Sequence, residues 1–583
     1  MKLIALLALL LALGTIAPAQ AADPANRTGL ASLAAAQPDL DAAYIGRTPR
    51  YDYDAAKNQP AAGEPVVFEG HVANRSAKTI DSFSFAWYID DQVAQAAVYP
   101  HPLAPNATAT LMLSWTWQPG PHTLSLRLDP DNQVAEVSEQ NNRIDDRTDA
   151  LAVGFWVEQS VYDYFNTHQA QLGLGSVSWD DWAQRQLQAW NGMFAAAISP
   201  LTPQGVLDRV RLDKVTVVPN GALPSCATNF PDINDKTIDL QWGFPAEEVG
   251  IPSGHSCGAL NYYFDNPAAQ NIEYSLMHEL SHARYLVDLY GLNIYLNATH
   301  LASASSSAST TLTADRDVEH DDNFPTPVAL AIDGELVICQ SKSGSSFGDC
   351  ARGAEGTYAR AHASGVLINN AIVRLHDSQG NLVQGSPALP VRGAWEDHLY
   401  FNRYADDMMG GGDWTGYKQY SAYALNRIAG RRPICGNYNS PCNIGEYLND
   451  IPAHNIVEIH DKNNHPLPGA RVDVFQAQPF AIWYGKQFHG PPNLSADTNF
   501  QGRADLGAFP FGSAPPIVHS YGHSNTVLLL RLSSGGVTNY QFFEVTQANE
   551  AFWRGQRDAA VYMLNTDLPA GQPLSLRYVP LAR

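Results

Sequence analysis

In the stretch Ile272-Glu273-Tyr274-Ser275-Leu276-Met277-His278-Glu279-Leu280-Ser281-His282, two histidines stand four residues apart with a glutamate beside the first. On an α-helix that spacing puts His278 and His282 on one face, one turn apart. Two imidazoles so placed can give nitrogens to one Zn²⁺ at about 2.0–2.1 Å. Glu279 is rotated away from the ligand direction, where a carboxylate can take a proton from a water activated by the metal. The flanks Ile272, Leu276, Leu280, Leu286 and Val287 recur at helical spacing, so the periodicity predicts a long buried helix over 271–290. The bland reading is a structural helix with two core histidines; burying them without partners is costly.

The motif His278-Glu279-Leu280-Ser281-His282 resembles that of the zincins, a class of zinc metalloproteases. The resemblance implies Zn²⁺ as cofactor, His278 and His282 as metal ligands, Glu279 as catalytic base, and a protein or peptide as substrate. It also implies a third protein ligand. In the metzincin branch a Gly follows the second His by three residues, and a ligand comes three further on. Those positions here are Tyr285 and Asp288. Tyr is a departure, because Gly lets the chain leave the helix. An unbroken helix would carry the Asp288 carboxylate about 9 Å along the axis from His282, out of reach of the same ion. The match to the metzincin position still makes Asp288 the favoured third ligand, ahead of two others. Glu319, in Asp315-Arg316-Asp317-Val318-Glu319-His320, would fit the gluzincin pattern, with His320 next to it. His398 lies a few residues before Tyr404-Ala405-Asp406-Asp407-Met408-Met409-Gly410-Gly411, a stretch that looks like the methionine turn of metzincins. An ordinary Gly-rich turn with two core methionines explains that stretch equally well.

The flanking regions read as β modules. Phe83-Ser84-Phe85-Ala86-Trp87-Tyr88 and Thr123-Leu124-Ser125-Leu126-Arg127-Leu128 are strand-like, with turns between such runs, as in a β-sandwich. The stretch Asp129-Pro130-Asp131-Asn132-Gln133-Val134-Ala135-Glu136-Val137-Ser138-Glu139-Gln140-Asn141-Asn142 resembles the closing motif of CARDB, a bacterial cell-adhesion-related domain of immunoglobulin-like fold. Asp129, Asp131 and Asn132 form a candidate Ca²⁺ set there, and turn formation accounts for the same residues. Towards the C-terminus, Ile456-Val457-Glu458-Ile459-His460 and Ala470-Arg471-Val472-Asp473-Val474-Phe475 alternate. The run Pro466-Leu467-Pro468-Gly469-Ala470-Arg471-Val472 resembles the opening of carboxypeptidase-regulatory-like domains, which are small β-sandwiches.

The expected organisation is multidomain: an α+β zincin-like catalytic domain flanked by two β-sandwiches. Residues 1–22 read as a signal peptide, from Lys2, the apolar run to Leu13 and Ala19-Gln20-Ala21. Residues 23–62 read as a linker, 63–153 as the CARDB-like sandwich, 154–450 as the metallopeptidase domain and 451–583 as the C-terminal sandwich. Within these, helices are expected over 155–168, 179–197 and 414–429, a strand over 211–219, and a flexible loop over the Ser-rich stretch 301–313.

The 583 residues carry a net charge of −22, and that acidity repels phosphate backbones, so nucleic acid is not an expected partner. No second run of about 20 apolar residues occurs, so no membrane partner is expected after signal cleavage. Secretion is expected, with a cell-surface or extracellular polymer as ligand of the β modules. The 6 cysteines fall in neighbouring pairs, Cys226 with Cys257, Cys339 with Cys350 and Cys435 with Cys442, which an oxidising compartment would join as disulfides.

Overall fold

The computed structural model describes residues 37–164, 178–223, 235–245, 272–289, 298–370, 375–376, 407–410, 416–432, 444–512 and 526–569, apart from a few positions within those ranges. The chain is mostly β and forms two compact units. Among the described residues, one comprises 37–43, 69–113 and 123–145; the other comprises 44–68, 114–122 and those from 146 onward.

The N-terminal strands are β1 (Leu40–Thr48), β2 (Pro65–Asn74), β3 (Phe83–Ile89), β4 (Gln92–Tyr99), β5 (Thr108–Thr116), β6 (Thr123–Leu128) and β7 (Arg143–Arg147). They make a three-stranded sheet in the order β1-β2-β5 and a four-stranded sheet in the order β4-β3-β6-β7. Gly70 on β2 lies so close to Trp87 and Leu126 that a Cβ would clash with both side chains. The strand β1 lies inside the stretch 23–62 that composition suggests is a linker. Its Leu40, Ala42, Ala43 and Ile45 are buried, so enough apolar surface is present to pair it into a sheet. Asp129 makes turn contacts: its carboxylate accepts from Ser84 Oγ at 3.3 Å and Val134 N at 2.6 Å, and Asn132 N donates to its carbonyl at 2.9 Å.

From residue 146 onward come β8 (Leu151–Glu158), β9 (Val210–Val218) and β10 (Leu240–Phe244), a parallel sheet in the order β10-β8-β9. Sequence periodicity places a helix over 155–168; the chain is extended to Glu158 and helical over 159–164, so the helix starts four residues later than expected, and 165–168 lie outside the described residues. The reason is visible in Leu-Ala-Val-Gly-Phe-Trp-Val, a continuous apolar run suited to a central parallel strand covered on both faces. Helix α1 (Trp179–Ala196) joins β8 to β9 and is capped by Ser178, whose side chain accepts from Asp181 N at 3.0 Å. The expected face of Trp182, Leu187, Trp190 and Phe194 is buried.

After β10 comes helix α2 (Tyr274–Ala283), which carries the two histidines. It is shorter than the sequence suggests, for reasons given below. An antiparallel sheet follows, built from β11 (Ala298–His300), β12 (Leu312–Thr313), β13 (Val328–Ile332), β14 (Glu335–Ser343), β15 (Ser346–Ala351) and β16 (Leu367–Asn370), in the order β11-β16-β13-β14-β15-β12. It has its own apolar core, including Leu301, Leu312, Phe324 and Phe347, and the cross-strand disulfide Cys339–Cys350. The stretch 301–313, expected as a flexible loop, is built into this sheet. Leu301 and Leu312 anchor it in the core, and Ser305 pairs with His362. The other four cysteines lie outside the described residues.

The remaining elements are β17 (Leu375–His376), α3 (Gln419–Arg427), a 3₁₀ turn Glu446–Asn449, β18 (His454–His460), β19 (Arg471–Phe480), β20 (Ile482–His489), β21 (Leu494–Asp497), β22 (Arg503–Asp505), β23 (Val527–Ser534), β24 (Val537–Glu544), α4 (Val545–Trp553) and β25 (Ala559–Asn565). The sheets run β17-β20-β19-β23-β24 and β22-β18-β25. Buried apolar residues on both sides of position 450, from Leu151 and Leu280 to Val472 and Leu564, belong to one contiguous core. Among the described residues no helix is long and apolar enough to cross a membrane.

Candidate metal centre

Helix α2 presents His278 and His282 from successive turns, with ring centroids 5.1 Å apart. It stops at Ala283. Tyr285 takes φ +66°, in the left-handed region. Tyr285 N donates to His282 O at 2.9 Å, and Leu286 N donates to Ser281 O at 3.2 Å. This is a Schellman termination, with Tyr where Gly is usual. A left-handed non-Gly residue costs about 1–2 kcal/mol. Burial of the aromatic ring, which is 1% exposed, offsets that by roughly 2–3 kcal/mol. The Arg284 and Arg431 guanidiniums lie 5.8 and 5.9 Å from the ring centroid, and the Tyr285 hydroxyl donates to the Arg432 carbonyl. The chain therefore leaves the helix without a glycine.

The exit turns residues 286–288 back along the helix. Asp288 Oδ1 lies 3.2 Å from His278 Nε2 and 3.4 Å from His282 Nε2. The three ligand atoms lie within 4.8 Å of one another. Four ligands at about 2.0–2.1 Å in a tetrahedron are separated by ~3.3 Å, so both measured separations match tetrahedral edges.

The hydrogen bonds on the far side of each ring fix its tautomer. His278 Nδ1 bonds to Met408 O at 2.8 Å and His282 Nδ1 to Leu286 O at 2.9 Å. A carbonyl only accepts, so both Nδ1 atoms carry the proton. In the neutral imidazoles the Nε2 lone pairs then converge on a carboxylate oxygen for which no donor is in hydrogen-bonding geometry. Such a convergence requires positive charge between the groups, from protons or from a metal ion. Burial lowers the His282 pKa, but Asp288 and Glu279 outweigh it and raise it to about 9. Burial raises the Asp288 pKa, and the two imidazoles outweigh that and hold it well below the usual carboxylate range. The donor set, two imidazoles and one carboxylate with outward-pinned Nδ1–H groups, fits Zn²⁺ with one coordination position left over.

Glu279 is half-buried beside the first histidine. Burial raises its pKa, and the positive character of His282 and His278 opposes the rise. Met408 and Met409 are both fully buried in the core that surrounds the site. Asp407, which sequence reasoning passed over, organises their turn. Its carboxylate accepts from Met409 N at 2.9 Å, Ser421 Oγ at 2.8 Å and Lys418 N at 2.7 Å. An Asp directly before a Met-Met-Gly-Gly run is a turn-forming signal that was available in the sequence. Between the two histidines, Ser281 Oγ meets Tyr417 OH at 2.6 Å, and Trp190 Nε1 donates to the same hydroxyl at 2.6 Å. That bond ties α1, α2 and the segment before α3 together.

Of the alternative ligands, Glu319 and His320 are not at this place. Glu319 is exposed in the inserted sheet, where its carboxylate accepts from Gly344 N at 2.8 Å, and neighbouring His320 is exposed too. His398 lies outside the described residues, as do Tyr404, Ala405, Asp406 and Gly411.

Residues 48–146 match the family model described as CARDB. Similar solved structures include the CARDB domain of a Pyrococcus furiosus protein in complex with di-metal ions. It is 22% identical, covers 19% of this chain and 86% of that chain, and gives a TM-score of 0.16. Another is a domain of a putative cell surface protein from Methanosarcina acetivorans, 21% identical, covering 19% of this chain and 90% of that one, with a TM-score of 0.15. No curated protein matches the chain. The resemblances to zincins and to carboxypeptidase-regulatory-like domains rest on the motifs quoted above.

Proposed function

We propose that the protein is an exported zinc-dependent endopeptidase. The observation that carries this reading is the meeting of His278 Nε2 and His282 Nε2 at Asp288 Oδ1, both nitrogen–oxygen separations being those of tetrahedral edges, with no hydrogen-bond donor to Asp288 Oδ1. Zn²⁺ held by these three residues would lower the pKa of a coordinated water towards about 7 and polarise the scissile carbonyl. Glu279 takes the proton of the attacking water on its carboxylate and returns it to the leaving amine nitrogen. Its raised pKa brings it nearer the neutral range in which a general base also works as an acid. Met408 O and Leu286 O hold the two imidazoles in the tautomer that turns Nε2 to the metal. The CARDB-like region would place the enzyme on a cell surface or extracellular polymer.

A second reading is a non-catalytic surface adhesin. The CARDB match over residues 48–146 favours it. Metal analysis paired with cleavage assays separates the two. The peptidase reading expects one zinc per chain, lost in His278→Ala. It also expects Glu279→Gln to keep the zinc while casein or gelatin cleavage falls by about 10²–10⁴-fold. A purified protein without zinc, whose proteolysis is indifferent to Glu279→Gln, would leave the adhesin.

A further inference from the structure

Asp288 sits on neither a helix nor a strand, so something other than regular secondary structure must hold it. Three anchors do so. Leu289 N donates to Met409 O at 2.9 Å. Gly445 N donates to Tyr285 O at 2.8 Å. Val287 N donates to the hydroxyl of Tyr447 at 3.1 Å. Two of the three come from the strap 445–447, which begins the 3₁₀ turn Glu446–Asn449. Burial raises the pKa of Tyr447, and nearby negative charge on Asp407 and Asp288 adds to the rise, so the hydroxyl stays neutral.

The strap is itself held from the C-terminal region. Asn549, in the middle of α4, is 0% exposed. Its Nδ2 donates to Asp450 O at 2.9 Å and reaches Tyr447 O and Leu448 O at 3.3 Å each, while its Oδ1 accepts from Tyr420 OH at 2.8 Å. One amide therefore fixes the strap and ties it to α3. Trp553, one turn on, donates from Nε1 to Asp450 Oδ2 at 2.8 Å and stacks on Tyr423 with centroids 4.8 Å apart.

Resting on the metal-site reading above, we propose that Tyr447 and Asn549 are positioning residues for the third metal ligand, and that the C-terminal β region is part of the metal site's support and not a detachable accessory. Asn549 acts on the strap, the strap's Tyr447 acts on the Val287 peptide, and that peptide sets Asp288 against the two histidines. Such outer contacts typically govern about 10–100-fold in metal affinity.

The test measures Co²⁺ and Zn²⁺ affinity of the full chain by chelator competition, with near-UV dichroism as a check on folding. Tyr447→Phe removes the acceptor for Val287 N and keeps the ring. Asn549→Ser keeps a small polar group and loses the bridging amide. Leu532→Ala is the control: it opens a cavity in the same apolar core, at the end of β23 away from α4, and should lower Tm without touching the strap. The expected result is a metal affinity weakened about 10-fold or more in the first two variants and unchanged within twofold in the control. Wild-type metal binding with unchanged affinity in Tyr447→Phe and Asn549→Ser overturns the positioning role alone, as does an equal loss in Leu532→Ala. Failure of the wild type to bind either metal overturns the metal-site reading and this inference with it.

Discussion

Two regions of the chain each bury a carboxylate against histidine, with opposite results. In the inserted sheet, Glu335 is 0% exposed and both its oxygens are fully served. It accepts from Arg352 Nε and Nη2, Gly353 N and His362 Nε2 at 2.8 Å each, and from Arg360 N at 3.0 Å. At Asp288 two imidazoles lie 3.2 and 3.4 Å from one oxygen, and their Nδ1 protons point away to backbone carbonyls. The first arrangement closes a loop by charge-assisted hydrogen bonds. The second leaves three lone-pair-bearing atoms turned towards one point. Histidine beside a buried carboxylate therefore does not by itself mark a metal site. The marks are the direction of the ring protons and the lack of a competing guanidinium.

Paired substitutions would break this contrast most sharply. Glu335→Gln strips the charge partner from buried Arg352, and should cost about 3–5 kcal/mol of stability in urea denaturation while leaving metal affinity unchanged. Asp288→Asn should do the reverse and weaken Zn²⁺ binding about 10-fold or more, since one of the three proposed ligands loses its charge. A stable Glu335→Gln protein, or an Asp288→Asn protein that binds zinc like the wild type, would remove the distinction.

Acid sharpens the same comparison. Burial raises the Glu335 pKa, but Arg352, the two backbone N–H groups and His362 outweigh it and lower it from 4.5 to about 2. A depressed carboxylate pKa gives stability that is present above the unfolded value and lost as pH falls through the folded one. The window is therefore pH 4.5 down to about 2, and the amount is on the order of 2–3 kcal/mol. The stability difference between wild type and Glu335→Gln should shrink on going from pH 6 to pH 3. A difference that is flat over that range would show that Glu335 is not held by these bonds.

Tyr285→Gly tests the helix exit that brings Asp288 to the histidines. It relieves about 1 kcal/mol of left-handed backbone strain but empties a buried aromatic site that is worth roughly 3–5 kcal/mol. A net loss of about 2–4 kcal/mol in Tm-derived stability is expected. A stabilised variant would mean that the glycine at this position in the metzincin pattern is also the better residue here.

The sequence alone carried the two histidines, their neighbour Glu279, the helix that presents them and the strand character of both flanks. Those features are local: a four-residue spacing and an alternating pattern are enough to define them. It also favoured Asp288 as third ligand, but left Glu319 and His398 open. Helical periodicity continues through Leu286 and Val287, and an unbroken helix would have carried Asp288 away. What ended the helix was tertiary: a pocket that buries the Tyr285 ring between two guanidiniums makes a left-handed Tyr tolerable. The anchoring of Asp288 was likewise invisible, since Tyr447 and Asn549 lie 159 and 261 positions away from it in the chain (447 − 288 and 549 − 288). No spacing rule links such positions; only the packing of α4 against the strap brings them to the site. The strand over 151–158 shows the same limit, because an apolar run reads as helix or strand until its partners on either side are known.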